Sequence, residues 1–115
     1  MGKAEAKIQS QILKYLKDKG YQPIKVIASN ANGVSDIICN VKGIFVALEV
    51  KVPGGKASEL QLLFLNNIIA SGGIGGVVTS VKEAKNLTDL AEKRSSYLPP
   101  LNLDLLTIDN NEVPL

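Results

Sequence analysis

Residues 36–52 constrain the fold of this chain more than any other stretch. Residues 44–52 (Ile-Phe-Val-Ala-Leu-Glu-Val-Lys-Val) form an apolar run rich in β-branched side chains, the strongest strand signal in the sequence. Lys42-Gly43 supplies a tight turn before it, and residues 36–41 (Asp-Ile-Ile-Cys-Asn-Val) read as a preceding strand, so the whole predicts a hairpin. Side chains alternate along a strand, which puts Ile44, Val46, Leu48 and Val50 on one face and Phe45, Ala47, Glu49 and Lys51 on the other. Glu49 and Lys51 therefore share a face at the end of an apolar strand. With the turn at 42–43, Asp36 falls roughly opposite residue 49, and two carboxylates can meet.

The flanks complete an alternating pattern. Residues 4–19 carry Ile8, Ile12, Tyr15 and Leu16 at helical spacing and stop at Gly20. Residues 21–28 read as an extended edge segment, because Pro23 has no N–H to give a central strand. Residues 29–34 (Ser-Asn-Ala-Asn-Gly-Val) are a loop by composition. After Pro53-Gly54-Gly55 a second helix is expected over residues 58–71, closed by Gly72-Gly73. It is apolar nearly all round, which calls for cover on more than one side, by the sheet and by a second subunit. Residues 74–79 read as a fourth strand. Ser80 with Glu83 forms a capping box that opens a third helix to about residue 93. The expected order is helix, three strands, helix, strand, helix: an α/β domain over residues 1–94 with a mixed sheet flanked by helices. Residues 95–115 follow as an arm, where Pro99-Pro100 breaks the chain and residues 101–108 alternate loosely, suggesting an added strand or a dimer contact.

Composition narrows the chemistry. A length of 115 residues with 45% apolar side chains suits one domain with a real core. The formal charge of +2 permits a nucleic-acid partner without requiring one. There is no histidine, which removes His-built zinc sites and Ser-His-Asp triads. The single cysteine, Cys39, sits in an apolar run and reads as a buried thiol of a reducing, cytoplasmic setting. No stretch is long and apolar enough to span a bilayer, and no signal core follows the N-terminal lysines. Carboxylates, lysines and a hard, oxygen-ligated cation are the remaining catalytic materials.

Two converging carboxylates repel each other unless a cation lies between them. With oxygen ligands alone, that cation is Mg²⁺ or Mn²⁺. A lysine beside it can orient an attacking water or offset charge developing on a phosphate, which is what phosphodiester hydrolysis needs. Glu5 lies three residues before Ile8 and seven before Ile12, on the apolar face of the first helix, where it could add a metal ligand or hold water. Gln61 opens the second helix just after Lys51 and could reach the site. Lys56, in the loop between them, is the favoured phosphate contact.

Three segments, Gly33-Val34-Ser35-Asp36, Glu49-Val50-Lys51, and Gly55 to Gln61, together resemble the PD-(D/E)XK nucleases and in particular the virus-type replication-repair nuclease (VRR-NUC) family. The resemblance covers roughly residues 4–92. Ser35 departs from it, standing where a proline often precedes the aspartate. It implies a restriction-endonuclease-like core (αβββαβ) and a magnesium-dependent DNA nuclease. Asp36, Glu49 and the Val50 backbone carbonyl would be metal ligands, Lys51 the catalytic lysine, and Glu5 and Gln61 supporting residues. Stand-alone members resemble dimeric enzymes of branched DNA such as four-way (Holliday) junctions, and the family leans toward phages and bacteria.

Plainer readings stand beside each assignment. Glu49 and Lys51 could be a solvated strand end with a same-face salt bridge. Asp36 could cap the Asn32-Gly33 loop. Glu5 could serve the helix dipole, and Gln61 a capping box with Ser58. Residues 72–76 (Gly-Gly-Ile-Gly-Gly) look like a phosphate loop, but no Gly-Lys-Ser/Thr follows. They read better as a helix stop with close packing. At the level of function, a flap, nicking or restriction-like nuclease and a non-catalytic nucleic-acid-binding module compete with the junction endonuclease.

Overall fold

The computed structural model describes residues 2–98. Its elements are α1 (Lys3–Asp18), β1 (Ile24–Lys25), β2 (Ile37–Val41), β3 (Ile44–Val50), α2 (Glu59–Ala70), β4 (Ile74–Val78) and α3 (Val81–Ser95). The order is the expected one, and the architecture is α/β, with a mixed four-stranded sheet ordered β1-β2-β3-β4. β1 pairs antiparallel with β2 and β2 antiparallel with β3, whereas β4 lies parallel to β3. A parallel return needs a crossover, and α2 supplies it.

The β2–β3 hairpin is the centre of this arrangement. Lys42 and Gly43 both have positive φ, 51° and 93°, as a two-residue turn matched to strand twist requires. The Gly43 N–H donates to Asn40 Oδ1 at 2.9 Å and closes the turn. The register pairs Ile37 with Leu48 and Val41 with Ile44. Ile44, Val46, Leu48 and Val50 enter one core with Ile37, Cys39 and Val41, beneath Ile12 and Leu16 of α1 and Ala84 and Ala91 of α3. Cys39 is buried as expected, and burial pushes its thiol up to about 11.

The opposite face of the sheet takes α2, and glycines set how closely it sits. A side chain at Gly75 would press on the Leu65 backbone oxygen at 3.2 Å, and one at Gly73 would meet the Phe45 carbonyl at 3.0 Å. On the core side, Gly76 accommodates Leu87 of α3. The glycine run is thus a close-packing device. Only Leu65 of α2 is fully buried, while Leu60, Leu62, Leu63 and Ile69 are exposed. Among the described residues the helix is covered on its sheet side alone.

Two expectations change. The extended segment of residues 21–28 contracts to a two-residue edge strand, both of whose side chains are exposed. Gln22 takes a left-handed φ of 56°, Pro23 cannot donate, and only the Val26 N–H continues the ladder, to the Asp36 carbonyl at 2.9 Å. The third helix runs through Ser95, so the proposed domain edge at residue 94 falls inside its last turn. Beyond Leu98 the arm, with its expected strand or dimer contact, lies outside the described residues. Among the described residues no helix is long and apolar enough to cross a membrane.

Close packing of α2 on β4 yields a direct expectation. Gly75→Val places two methyl groups against the Leu65 backbone, and should cost about 1–3 kcal/mol in urea unfolding, as overpacking does. An unchanged midpoint would show that α2 shifts freely on the sheet.

Candidate active site

The residues singled out in the hairpin converge where β2 begins and β3 ends. Ile37 pairs with Leu48, so Asp36 stands opposite Glu49, as the turn position required. Asp36 does not cap its own loop. Its Oδ2 accepts from the Val50 N–H at 2.8 Å, across the hairpin. That bond continues the ladder past the end of β2 and fixes the aspartate beside the Glu49-Val50 peptide.

Glu49 is not a solvated strand end. It is 1% exposed, and neither carboxylate oxygen has a hydrogen-bond partner. Burial pushes its pKa from 4.5 up to about 8, the neighbouring Asp36 carboxyl pushes the same way, Lys51 opposes, and Glu5 adds a little. Neither Glu49 oxygen is in hydrogen-bonding geometry, so Asp36 acts on it as a close like-charged group. Among the described residues no ion pair involves Glu49; the salt bridges are Lys14–Asp18, Lys42–Glu92 and Lys85–Asp89. A buried, unpaired carboxylate is costly unless it is protonated or given a cation.

Lys51 is half-buried one pleat beyond Glu49, and its backbone N–H donates to the Val78 carbonyl at 3.0 Å. The following loop turns back at once, with the Gly55 N–H on the Val52 carbonyl at 2.8 Å. Room for a side chain at Gly55 is taken by that carbonyl and by Lys51 Cβ. Lys56, next along, is exposed.

The other candidates divide. Gln61 closes the expected capping box: Ser58 N–H donates to Gln61 Oε1 at 2.8 Å, and Gln61 N–H to Ser58 Oγ at 3.2 Å. Its amide nitrogen is left for other work. Gly33 ties this helix start to the aspartate loop. It has φ of 73°, and a side chain there would overlap the Leu60 carbonyl and lie 2.9 Å from Gln61 N. Glu5 sits half-buried in the first turn of α1, near enough to be felt electrostatically at Glu49. Among the described residues, however, no three carboxylate or thiol groups close into a ready-made metal cage. The protein offers two carboxylates, with Glu5 behind them.

The sequence reading gave no role to two buried polar residues that adjoin these candidates in the chain. Gln9 is 3% exposed, one turn beyond Glu5 on the stripe that continues through Ile12 and Leu16. Its signal was a polar residue at helical spacing inside an apolar face. Ser35 is buried beside Asp36, and its hydroxyl donates to the Ile37 carbonyl at 3.2 Å. This bond stiffens the approach to the aspartate at the position where a proline was the expected residue.

The donor set fits a small divalent cation: hard oxygens, two of them buried without partners, and no soft ligand among them. The sequence matches no family model and no curated protein sequence.

Glu49 makes stability pH-dependent with a definite sign. Its folded pKa lies above the unfolded value, so the native state holds a proton that the unfolded chain has released. Its contribution is fully present below about pH 4.5 and is lost as pH rises to about 8. Metal-free protein should therefore lose stability across this window, by at most about 1.4 kcal/mol per pH unit from this group. Glu49→Gln should flatten the slope and remove any rise in Tm on adding Mn²⁺ at pH 8. A slope and metal response equal to those of the unsubstituted protein would contradict this account of Glu49.

Proposed function

We propose that the protein is a metal-dependent, structure-selective DNA endonuclease that hydrolyses phosphodiester bonds, with branched DNA such as four-way junctions as substrate. The observation that carries this reading is the buried, partnerless Glu49 carboxylate beside Asp36, with Lys51 one pleat away. The order αβββαβ and the mixed sheet are compatible with a PD-(D/E)XK core. The residues that resemble the VRR-NUC family lie at one end of the sheet.

In this reading Asp36, Glu49 and the Val50 carbonyl would hold Mg²⁺ or Mn²⁺. The cation supplies Lewis acidity and offsets phosphate charge. Asp36 is held in place by the Val50 N–H. Glu49 is buried with both oxygens unpartnered, so it would gain more from a cation than a surface carboxylate would. Lys51 brings a positive charge to the scissile phosphate and orients the attacking water. Glu5 and Gln61 hold water or substrate at the margin, and Lys56 contacts a flanking phosphate. Symmetric cutting of a junction calls for two such sites, and a two-fold dimer provides them. The exposed Leu60, Leu62, Leu63 and Ile69 of α2 are suited to such an interface.

The test compares cleavage of a labelled four-way junction, a flap, a duplex and a single strand in Mg²⁺, Mn²⁺ and EDTA. Metal-dependent cutting selective for the junction is expected, with Lys51→Ala slowed ~10²-fold or more while DNA binding persists. Selective cutting of flaps would keep the site and change the substrate. Binding without cutting by the unsubstituted protein would favour a non-catalytic DNA-binding module of the same fold.

A further inference from the structure

The loop that delivers Asp36 to the site carries an apolar side chain that the chemistry above does not use. Ile27 is 90% exposed. It stands one residue past Val26, whose N–H donates to the Asp36 carbonyl at 2.9 Å. That bond continues the β1–β2 register, so Val26 lies in the row across the sheet that holds Asp36 and Glu49. A strand spacing of about 4.8 Å and a rise of about 3.3 Å per residue put the Ile27 backbone about 6 Å from that of Asp36. One exposed isoleucine is ordinary on a protein surface. This one stands at the rim of the carboxylate pair.

The loop around it is neutral. Residues 26–35 (Val-Ile-Ala-Ser-Asn-Ala-Asn-Gly-Val-Ser) contain no charged side chain, although residues 28–32 are all exposed. The charges lie on either side. Lys25 is exposed just before the loop, and half-buried Lys51 and exposed Lys56 follow the strand that bears Glu49. Among the described residues none of these three lysines is in an ion pair, since the salt bridges belong to Lys14, Lys42 and Lys85. Cations flanking a neutral, apolar tip suit a ligand with anionic rails and an apolar interior. A nucleic-acid duplex is such a ligand, with phosphates outside and stacked bases within.

A slack tip could not part bases, and this loop is held at three points. The Val26 N–H is bonded to the Asp36 carbonyl, the Ala31 N–H donates to Ser29 Oγ at 3.1 Å, and Gly33 lies so close to the Leu60 carbonyl that no side chain fits between them.

We propose that Ile27 is a wedge that enters the base stack at a branch point and so sets the preference for branched over continuous DNA. Apolar side chains, isoleucine among them, part base steps in this way. The cost of unstacking is least where pairing is already interrupted, so the wedge gains most at a junction or flap and least in an unbroken duplex. With base steps about 3.4 Å apart, Ile27 meets the stack within about two steps of the phosphate held at Asp36 and Glu49. Asn30 and Asn32, both exposed, bring amide groups able to bond the freed base edges. The inference rests on the nuclease reading of the site and adds to it the residue that chooses the substrate.

Two readouts on the full chain test it. The first is the ratio of junction to duplex cutting in Mg²⁺. Ile27→Ala should lower that ratio ~10-fold or more, as losing apolar contact in a discriminating site does, while duplex cutting stays the same. Ile27→Leu should restore it, and Tm should stay within about 2 °C, as befits an exposed position. The second is the fluorescence of 2-aminopurine placed in the base step beside the branch, read at saturating Lys51→Ala protein so that the strands stay whole. Fluorescence should rise on binding, and the rise should vanish when Ile27→Ala is added. An unchanged ratio and an unchanged rise would overturn the wedge and leave the nuclease reading intact. A loss equal on junction and duplex, or one that tracks a lowered Tm, would overturn it too. If the unsubstituted protein binds junctions without cutting them, the nuclease reading fails and the fluorescence still decides the wedge. No binding to any DNA would overturn both.

Discussion

The register of one hairpin governs this protein. Lys42 and Gly43 make a two-residue turn with positive φ at both positions, and that turn allows a single alignment of β2 on β3. Pairing Ile37 with Leu48 sends every even-numbered side chain of β3 into the core and sets Asp36 against Glu49. A slip of one residue would expose the core leucine and valines and bury Phe45 and Lys51 in their place. The same alignment that builds the core thus forces two carboxylates together, with Asp36 partly exposed and Glu49 shut off from water. Stability and chemistry are coupled here: the sheet tolerates a buried Glu49 because the folded state can hold a proton on it, or a cation.

The rest of the structure fixes the frame around that pair. Gly33 presses the aspartate loop on to the first turn of α2, where no larger residue would fit. Ser58 and Gln61 cap the same turn reciprocally, so the helix start cannot fray away from the loop. Glycines 73, 75 and 76 let α2 and α3 approach opposite faces of β4. Position by position these are ordinary packing devices. Their joint effect is to frame the end of β3, where the Val50 N–H ties Asp36 beside Glu49.

Much of this was legible in the sequence because the signals were periodic or conformationally strict. The alternation in residues 44–50, the turn at 42–43, the capping residues Ser58 and Ser80 and the helix stop at Gly72 each have a local physical cause. The opposition of Asp36 and Glu49 followed from the turn position alone. What sequence could not convey was depth. Nothing in Glu49-Val50-Lys51 distinguishes a solvated strand end from a carboxylate with 1% exposure, because burial depends on α2 and the Gly33 loop arriving from elsewhere. Gln9 was missed although its helical spacing set it in the apolar stripe of α1 with Ile12 and Leu16. The segment of residues 21–28 was overread: its apolar residues Ile24 and Ile27 suggested a strand, but an edge interrupted by Gln22 and Pro23 retains only two ladder residues. The all-round apolar character of α2 called for cover beyond the sheet, and among the described residues only its sheet side is covered.

The central claim is that Asp36 and Glu49 form a divalent-cation site. The most direct measurement is a crystal structure of Mn²⁺-soaked protein, with anomalous scattering used to locate the metal. The account predicts one Mn²⁺ or more between the two carboxylates, with oxygen ligands at about 2.1 Å from both Asp36 and Glu49. An anomalous map empty at this position, with the Lys51 ammonium turned inward to pair with Glu49, would contradict it and make the cluster a buried ion pair.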